Sequence, residues 1–312
     1  MLPGSEERLN KGRPLAYERA RRGVATCTLS TRLTALVLNG RRGMIEGMLP
    51  GFSDPFWVGL LAKMLATAAI VVAVSALVER VGPFLGAMIA TLPISAGPAL
   101  VFVAMDHGPA FLEASARTGL PAFAGTAIFA AVYARLAQHY RTVISVGGAL
   151  TAWLLATILI THKPWSVGGA LALNVAVFGA AIWATRSVRR AAPVSAVGRI
   201  WDIPFRAMIV MSLVATVVIM GRLLGPEAAG MTAVAPMVFA SVGLVLQPRV
   251  GGAVPGAMMA NGLLGLIGLV AALAFLSLSA TALGSTATLS LSLLICVLWN
   301  LFLVGVRQLL RQ

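Results

Sequence analysis

The sequence predicts an all-α polytopic membrane protein of about nine transmembrane helices, with two inverted four-helix repeats joined by a connecting helix. Of its 312 residues, 59% are hydrophobic and 11% are charged, whereas a soluble domain carries about 25% charged residues. The apolar residues fall in blocks of roughly 20, which is the length that crosses about 30 Å of hydrocarbon. These charges are too few to solvate a globular surface of this size.

Nine apolar blocks are predicted to span the membrane, because polar, basic or Gly/Pro-containing connections separate them. The block at 253–279 is long and Gly-rich, which allows a broken or tilted helix. The predicted spans are 57–78, 84–104, 118–137, 142–161, 166–185, 205–223, 228–247, 253–279 and 284–306.

The N-terminal tail, residues 1–56, differs from the rest of the chain. Residues 1–43 hold nine of the 24 Lys and Arg residues and no long apolar run. They are not a signal peptide, because no apolar region follows the basic residues. Three interpretations stay open: a disordered basic tail, a transit-like extension, or an upstream extension of a reading frame that starts at Met44 or Met48.

The basic residues predict the orientation in the membrane, because cytoplasmic connections carry an excess of Lys and Arg. Three of those outside residues 1–43 fall on one side, namely Arg117, Lys163 and Arg222. Eleven fall on the other side: Arg80, Arg135, Arg141, Arg186, Arg189, Arg190, Arg199, Arg206, Arg249, Arg307 and Arg311. We therefore expect a multi-pass membrane protein with a cytoplasmic C-terminus. The N-terminus would then lie outside, although nine positive charges cross a membrane poorly. Either residues 1–43 are not part of the natural protein or the span count is wrong by one, and the first alternative is favoured.

An internal repeat appears when the chain is aligned with itself so that Gly82 faces Gly225, an alignment that we name the repeat alignment. Residues 82–93, GPFLGAMIATLP, then face residues 225–236, GPEAAGMTAVAP, with five identities in twelve ungapped positions. The same alignment places Lys63 opposite Arg206, and a nine-residue shortening of the next loop places Pro121 opposite Pro255. The predicted division is repeat 1 at 57–161, a connecting helix and cytoplasmic loop at 162–200, and repeat 2 at 201–312.

The repeat predicts a secondary transporter. Four spans and a connecting fifth span put the second repeat on the opposite side of the membrane, so the two repeats are inverted. Inverted repeats with helices interrupted by Gly and Pro at matching positions are typical of secondary transporters. Two such halves can exchange shapes and give inward-open and outward-open states.

The predicted substrate site lies at the interrupted helices of spans two and seven, because a proline inside a membrane helix frees a carbonyl that needs a new partner. A half-helix N-terminus at that point would attract an anion. The alternative is a proline kink packed against small residues. Among the span amides Asn174, Asn261 and Asn300, packing is favoured for each alone, but Asn261 follows the repeated proline. The predicted site residues are Thr91, Pro93, Ser95, Pro236, Ser241 and Asn261.

Two cations, Lys63 and Arg206, lie a short way into the first helix of each repeat. A charge near the bilayer centre costs at least about 2.5–3.5 kcal/mol, although snorkelling relieves much of this cost close to the interface. One hypothesis makes them cationic gates, one at each face, that attract an anion. The alternative makes them interfacial anchors.

Other function classes lack support in the sequence. The net charge of +14 does not indicate nucleic-acid binding, because the basic residues lie at the ends of apolar blocks. Cys27 and Cys296 form no disulfide framework, and three scattered histidines offer no metal site. All ten carboxylates lie in the tail, the loops or the span ends. No P-loop, HExxH or GxSxG motif occurs, so we expect no enzyme, no cofactor and no metal.

Residues Gly86–Gly108, GAMIATLPISAGPALVFVAMDHG, resemble small four-helix bacterial inner-membrane proteins that have been linked to alginate production. The resemblance covers one helix, and each four-span repeat loosely. It implies a fused double version of such a unit, and a non-enzymatic accessory role in envelope or exopolysaccharide assembly. A permease for a small, anionic solute and a lipid flippase are the other functions expected. The expected partners are membrane lipids and a small-molecule substrate, and homo-oligomers are allowed.

Overall fold

The computed structural model describes residues 55–80, 96–190 and 202–309. Within these ranges the chain forms α-helices, one short 3-10 helix and no strand. The 3-10 helix is Val188–Arg190, between α5 and α6. The α-helices are α1 Pro55–Arg80, α2 Ala96–His107, α3 Pro109–Leu136, α4 Thr142–Thr161, α5 Val167–Ala184, α6 Asp202–Leu224, α7 Pro226–Ala233, α8 Met237–Val250, α9 Ala253–Leu283 and α10 Ser285–Leu309.

The predicted all-α polytopic membrane fold is confirmed. Eight helical segments of the described residues are long and apolar enough to cross a membrane, with α7 and α8 together forming one of them. The remaining predicted span, 84–104, falls partly outside the described residues, and α2 is its described end. The basic tail at 1–54 also lies outside them.

The start of the third span was predicted wrongly. The helix α3 begins at Pro109 rather than at residue 118, and Pro109 stands at the first helical position. Proline suits this position because its fixed φ is helical and its missing N–H would have no helical partner there. The polar residues Glu113 and Arg117 made this turn resemble a loop in the sequence.

The helices α3 and α9 form the centre of the bundle. In the most apolar window of each, 72% of the residues of α3 and 61% of the residues of α9 are buried, against 17% for α1 and α10. The outer helices carry large exposed apolar side chains, such as Leu154, Leu159 and Leu298. The two central helices therefore pack against protein, and the outer helices offer the surface for lipid.

The central helices α3 and α9 run antiparallel and touch at both ends. Near the start of α3, Glu113 accepts hydrogen bonds from Thr281, which lies near the end of α9. Near the end of α3, Ala134 packs with Ala260 in the first half of α9. We name the membrane face where α2 ends and α3 begins the Glu113 face, and the face where α3 ends and α9 begins the Gly252 face.

The repeat alignment also relates two helix ends. The helices α2 and α8 end at His107 and Val250, and each is followed by a glycine with a positive φ, 81° at Gly108 and 77° at Gly251. Each glycine N–H donates to a carbonyl four residues back, Gly108 to Ala104 and Gly251 to Gln247. This left-handed ending favours glycine, which has no Cβ to clash.

The expected match of Pro121 with Pro255 does not hold in the structure. No loop shortening separates the repeats here, because α3 and α9 begin directly after the paired glycine turns. Pro121 consequently lies three turns into α3, whereas Pro255 lies in the first turn of α9. Proline at these two depths has different effects, since only the interior position removes a helical hydrogen bond.

Candidate functional site at an interrupted helix

The span formed by α7 and α8 is interrupted where the sequence predicts it. The helix α7 ends at Ala233, and α8 begins at Met237, directly after Pro236. Pro236 has φ −78° and ψ 41°, so its ψ lies far from the helical value near −42°. Its ring carries no N–H to continue the ladder of helical hydrogen bonds. The backbone therefore leaves the helix between two apolar segments.

A threonine of the first repeat supplies the donor that this break needs. Thr126 of α3 donates from Oγ1 to the Val234 carbonyl at 2.7 Å, and Thr126 is buried. A carbonyl without a donor inside hydrocarbon costs several kcal/mol, to an order of magnitude. The interruption between α7 and α8 is thus stabilised by the central helix α3.

Glycine contacts bring α7 close to α3. A Cβ on Gly119 of α3 would lie 3.1 Å from the Gly230 carbonyl oxygen, and a Cβ on Gly230 would collide with the Ser115 carbonyl. Small residues allow such close backbone approach, which is a common mode of helix association in membranes. The break is therefore held in place on both sides, by close packing before it and by a hydrogen bond within it.

Among the predicted site residues of the second half, Pro236 forms the break, whereas Ser241 and Asn261 form their hydrogen bonds elsewhere. Ser241 is buried, and its hydroxyl donates to the Val238 carbonyl of its own helix at 2.6 Å. The Asn261 amide donates to the Ala257 carbonyl at 2.9 Å and to the Arg189 carbonyl at 3.4 Å. Asn261 is thus directed to the 3-10 helix. Thr91, Pro93 and Ser95 lie outside the described residues.

Polar atoms without a partner in the described part of the chain lie against α3. The Thr157 hydroxyl and the Trp153 indole N–H have none, and both side chains face Gly125, where a Cβ would lie 2.6 Å from Thr157 Oγ1. Asn174 donates to the Leu120 carbonyl at 2.8 Å, while its own buried carbonyl oxygen has no partner. The side chains of α4 and α5 that face the middle of α3 consequently offer hydrogen-bonding capacity within the membrane.

Lys63 is not a free cation. Its ammonium group forms an ion pair with Asp106, in the last turn of α2. Ionisable groups within membrane segments commonly pair in this way, because pairing offsets their desolvation. The pair has no net charge, so it gives little support to the hypothesis that Lys63 is a gate that attracts anions. Asp106 was placed at a span end by the sequence, but its partner was not foreseen.

The equivalent positions in the second repeat carry a different charge. The repeat alignment relates Lys63 to Arg206 and Asp106 to Arg249, so two basic residues stand opposite a basic and an acidic one. Arg206 Nε is buried without a partner in the described residues, and Arg249 lines a hollow of about 510 Å³ between α6 and α8. Arg189, on the same face, has two buried nitrogens without a described partner, and burial lowers its pKa. The Gly252 face is therefore the more cationic of the two.

A contact between the two central helices was missed by the sequence. The Glu113 carboxylate accepts from the Thr281 N–H at 3.0 Å and from its hydroxyl at 2.6 Å. Glu113 also pairs with Arg117 one turn later, at 3.2 Å. We name the Glu113–Thr281 contact the latch. The partner of Glu113 lies on the other central helix, 168 residues away in the sequence, so no local pattern indicated it.

The described residues contain no group of three or more His, Cys, Asp or Glu side chains that could hold a metal ion. No protein-family model, no curated protein and no solved structure matches the chain. The functional interpretation therefore depends on the packing and chemistry of the helices themselves.

Proposed function

We propose that this chain is a secondary transporter or permease built from two inverted repeats, and that its solute is small and anionic. The observation that carries the proposal is the antiparallel contact of α3 and α9, the third helices of the two predicted repeats, beside an interrupted span. Inverted repeats with interrupted helices at their interface are typical of secondary transporters.

The matched helix ends support the inverted repeat. Gly108 and Gly251 follow α2 and α8 with a positive φ, which Gly225 and Gly284 also have at other helix junctions, and the helices that begin after Gly108 and Gly251 are α3 and α9. Because α3 and α9 run antiparallel, equivalent segments of the two repeats point in opposite directions across the bilayer. Opposite directions are what an inverted pair requires, and two such halves can exchange shapes.

The charge of the Gly252 face supports an anionic solute. Arg189, Arg206 and Arg249 lie at that face, where an anion would be attracted from solution. The excess of basic residues there predicts that this face is cytoplasmic. Uptake into the pathway from the cytoplasm would then bring an anion towards the interrupted helix.

Transport can be tested with the purified full chain in proteoliposomes on a solid-supported membrane. Rapid exchange of chloride for phosphate, sulfate or a short carboxylate should give a transient current for at least one of these anions. Pro236→Ala restores an N–H at the break and should reduce the current at least about tenfold, since the transport geometry depends on the interrupted helix. The matched control is Pro255→Ala, which changes a proline in a first helical turn, where no hydrogen bond is lost.

The absence of current for every anion, or equal currents in wild type and Pro236→Ala, would contradict this proposal. A lipid-handling function, such as a flippase, is favoured by a separate observation. A groove lined by apolar side chains lies among α1, α2, α9 and α10, with the Lys63–Asp106 pair near one end. An accessory role in envelope assembly would need neither current nor lipid movement.

A further inference from the structure

A groove of about 490 Å³ runs between four helices of the bundle. Its volume lies within the roughly 300–1,000 Å³ that ligand-binding cavities occupy. The side chains around it are apolar apart from a serine hydroxyl and a thiol. Among the lining residues are Ala66 and Ile70 of α1, Phe102 of α2, Leu276 of α9, and Leu293 and Cys296 of α10.

The groove lies at the lipid-facing surface of the bundle. Ile70 is 45% exposed and Leu293 is 50% exposed, and their helices, α1 and α10, are the least buried. Within the hydrocarbon region such exposure is exposure to lipid. Water finds too few hydrogen-bonding partners in a groove of this kind. An apolar chain from the bilayer is therefore the natural occupant.

The ion pair lies just beyond one end of the groove. Lys63 precedes Ala66 by three residues, and Asp106 follows Phe102 by four, so each stands one helical turn past the lining. Both side chains remain partly accessible, with 19% of Lys63 and 28% of Asp106 exposed. This end is the Glu113 face, where α2 ends and the polar headgroup region begins. The groove is apolar, and a positive and a negative side chain lie at its end. It is therefore complementary to a lipid with an apolar chain and a headgroup that carries one positive and one negative charge.

The contact that the repeat alignment relates to this groove is filled at one position. The ring of Tyr133 packs onto Gly243 of α8, where a Cβ would lie 2.7 Å from the ring. The Tyr133 hydroxyl donates to Gln247 at 3.0 Å. In the repeat alignment Leu276 stands in place of Tyr133, and it lines the groove instead of filling it. At this position the groove is therefore open, whereas the matching contact of α3 with α8 is filled by the tyrosine ring.

We propose that this groove binds the acyl chain of a membrane phospholipid with a zwitterionic headgroup, whose phosphate pairs with Lys63 and whose ammonium pairs with Asp106. This lipid site is separate from the solute pathway proposed above, and it requires no transport. A purely anionic headgroup is disfavoured, because Asp106 repels it. The two charges of the ion pair exchange partners with the headgroup, so no charge is left unpaired.

The site can be tested by photo-crosslinking on the purified full chain in maltoside micelles. The two probes are a phosphatidylethanolamine and a phosphatidylglycerol that carry the same diazirine acyl chain at the same low mole fraction. Mass spectrometry of the digested protein then maps the labelled peptides. We expect the phosphatidylethanolamine probe to label the groove segments of α2 and α10 about fivefold more than the phosphatidylglycerol probe. The expected preference is modest because ion pairs that are partly exposed contribute little to binding.

Two variants separate the chain-binding groove from the headgroup contact. Gly97 lines the groove, and a Cβ there meets nothing within 4 Å, so Gly97→Leu fills the groove and should reduce its labelling about tenfold. The matched control is Gly179→Leu on α5, where a Cβ also meets nothing and labelling should be unchanged. Asp106→Asn leaves Lys63 unpaired, so the preference should change to the anionic probe.

Three results would overturn the proposal. The first is groove labelling no stronger than that of the exposed surfaces of α4 and α5. The second is equal groove labelling in wild type and Gly97→Leu. The third is a headgroup preference that Asp106→Asn leaves unchanged, which is informative even if Gly97→Leu fails to fold. None of these results depends on ion currents, so a failed transport assay and a failed lipid site remain distinguishable.

Discussion

Breaking the latch should open the Glu113 face of the molecule. Glu113→Gln keeps the size of the side chain but removes its charge, so the remaining amide oxygen accepts from Thr281 only as a neutral group. Two hydrogen bonds to a charged acceptor, at 3.0 and 2.6 Å, connect α3 and α9 at this face. Hydrogen bonds to charged groups contribute about 1.5–3 kcal/mol, and partial exposure reduces this contribution. We therefore expect a loss of about 1 kcal/mol, or about fivefold in the opening equilibrium.

The opening can be measured as the alkylation rate of a buried thiol. Ser277 lies one turn before Thr281 on the same helix face and is fully buried, so Ser277→Cys reports the Glu113 face. Ala260, packed against Ala134, becomes the reporter of the Gly252 face as Ala260→Cys. Both are introduced into a chain with the two native cysteines replaced. A soluble maleimide should react about fivefold faster at position 277 when Glu113→Gln is present.

Alternating access adds a second expectation, because opening one face must close the other. The alkylation rate of Ala260→Cys should therefore fall in the Glu113→Gln chain. Arg117→Gln is the matched control, since Arg117 pairs with Glu113 on the same helix, and its loss should change either rate less than twofold. An unchanged rate at position 277 would refute the latch. A faster rate at 277 with no change at 260 would refute alternation while keeping the latch.

Three further predictions concern the helix break and the orientation. Gly230→Ala should lower stability by about 1–3 kcal/mol through overpacking, measured as a lower thermal unfolding temperature in detergent, whereas Gly179→Ala should not. Thr126→Val leaves the Val234 carbonyl without its donor and should cost about 1–3 kcal/mol in the same assay. Thr118→Val, which loses only a bond within its own helix, should cost less than about 0.5 kcal/mol, and equal losses in the two valine variants would contradict the role of Thr126. A reporter enzyme that works only in the cytoplasm should be active when it is fused to the C-terminus. Activity of a reporter that works only outside the cytoplasm would contradict the predicted orientation.

The sequence predicts the helices well because hydrocarbon imposes a simple rule. Every backbone polar group in the bilayer must be paired within the protein, so an apolar block of sufficient length becomes a helix. The interruption at Pro236 was also predictable, since proline cannot continue the ladder. The start of α3 was not, because Glu113 and Arg117 resemble a loop until their partners are known.

The contacts between distant helices could not be predicted from local patterns. Thr126 and Val234 lie in different repeats, and neither residue type is unusual in a membrane helix. The same holds for Lys63 and Asp106, which the sequence placed in separate roles. The predicted repeat pairs Gly108 with Gly251, which both follow helix ends, but an alignment based on Pro121 and Pro255 introduced a loop difference that these helix ends do not have.

The two faces of the central helix pair are closed by different kinds of contact, and this difference bears on the proposed mechanism. At the Glu113 face, a side chain with several rotatable bonds connects α3 to α9. At the Gly252 face, the backbones themselves meet, because Gly252 leaves no room for a Cβ beside the Ala137 carbonyl. A side-chain contact can break without moving the helices, whereas a backbone contact requires the helices to separate. The inward-open and outward-open states have equal free energies only if the contacts are preserved when the two inverted halves exchange their shapes. Because exchange here would trade a side-chain latch for close backbone packing, we expect opening at the Glu113 face to be the easier transition.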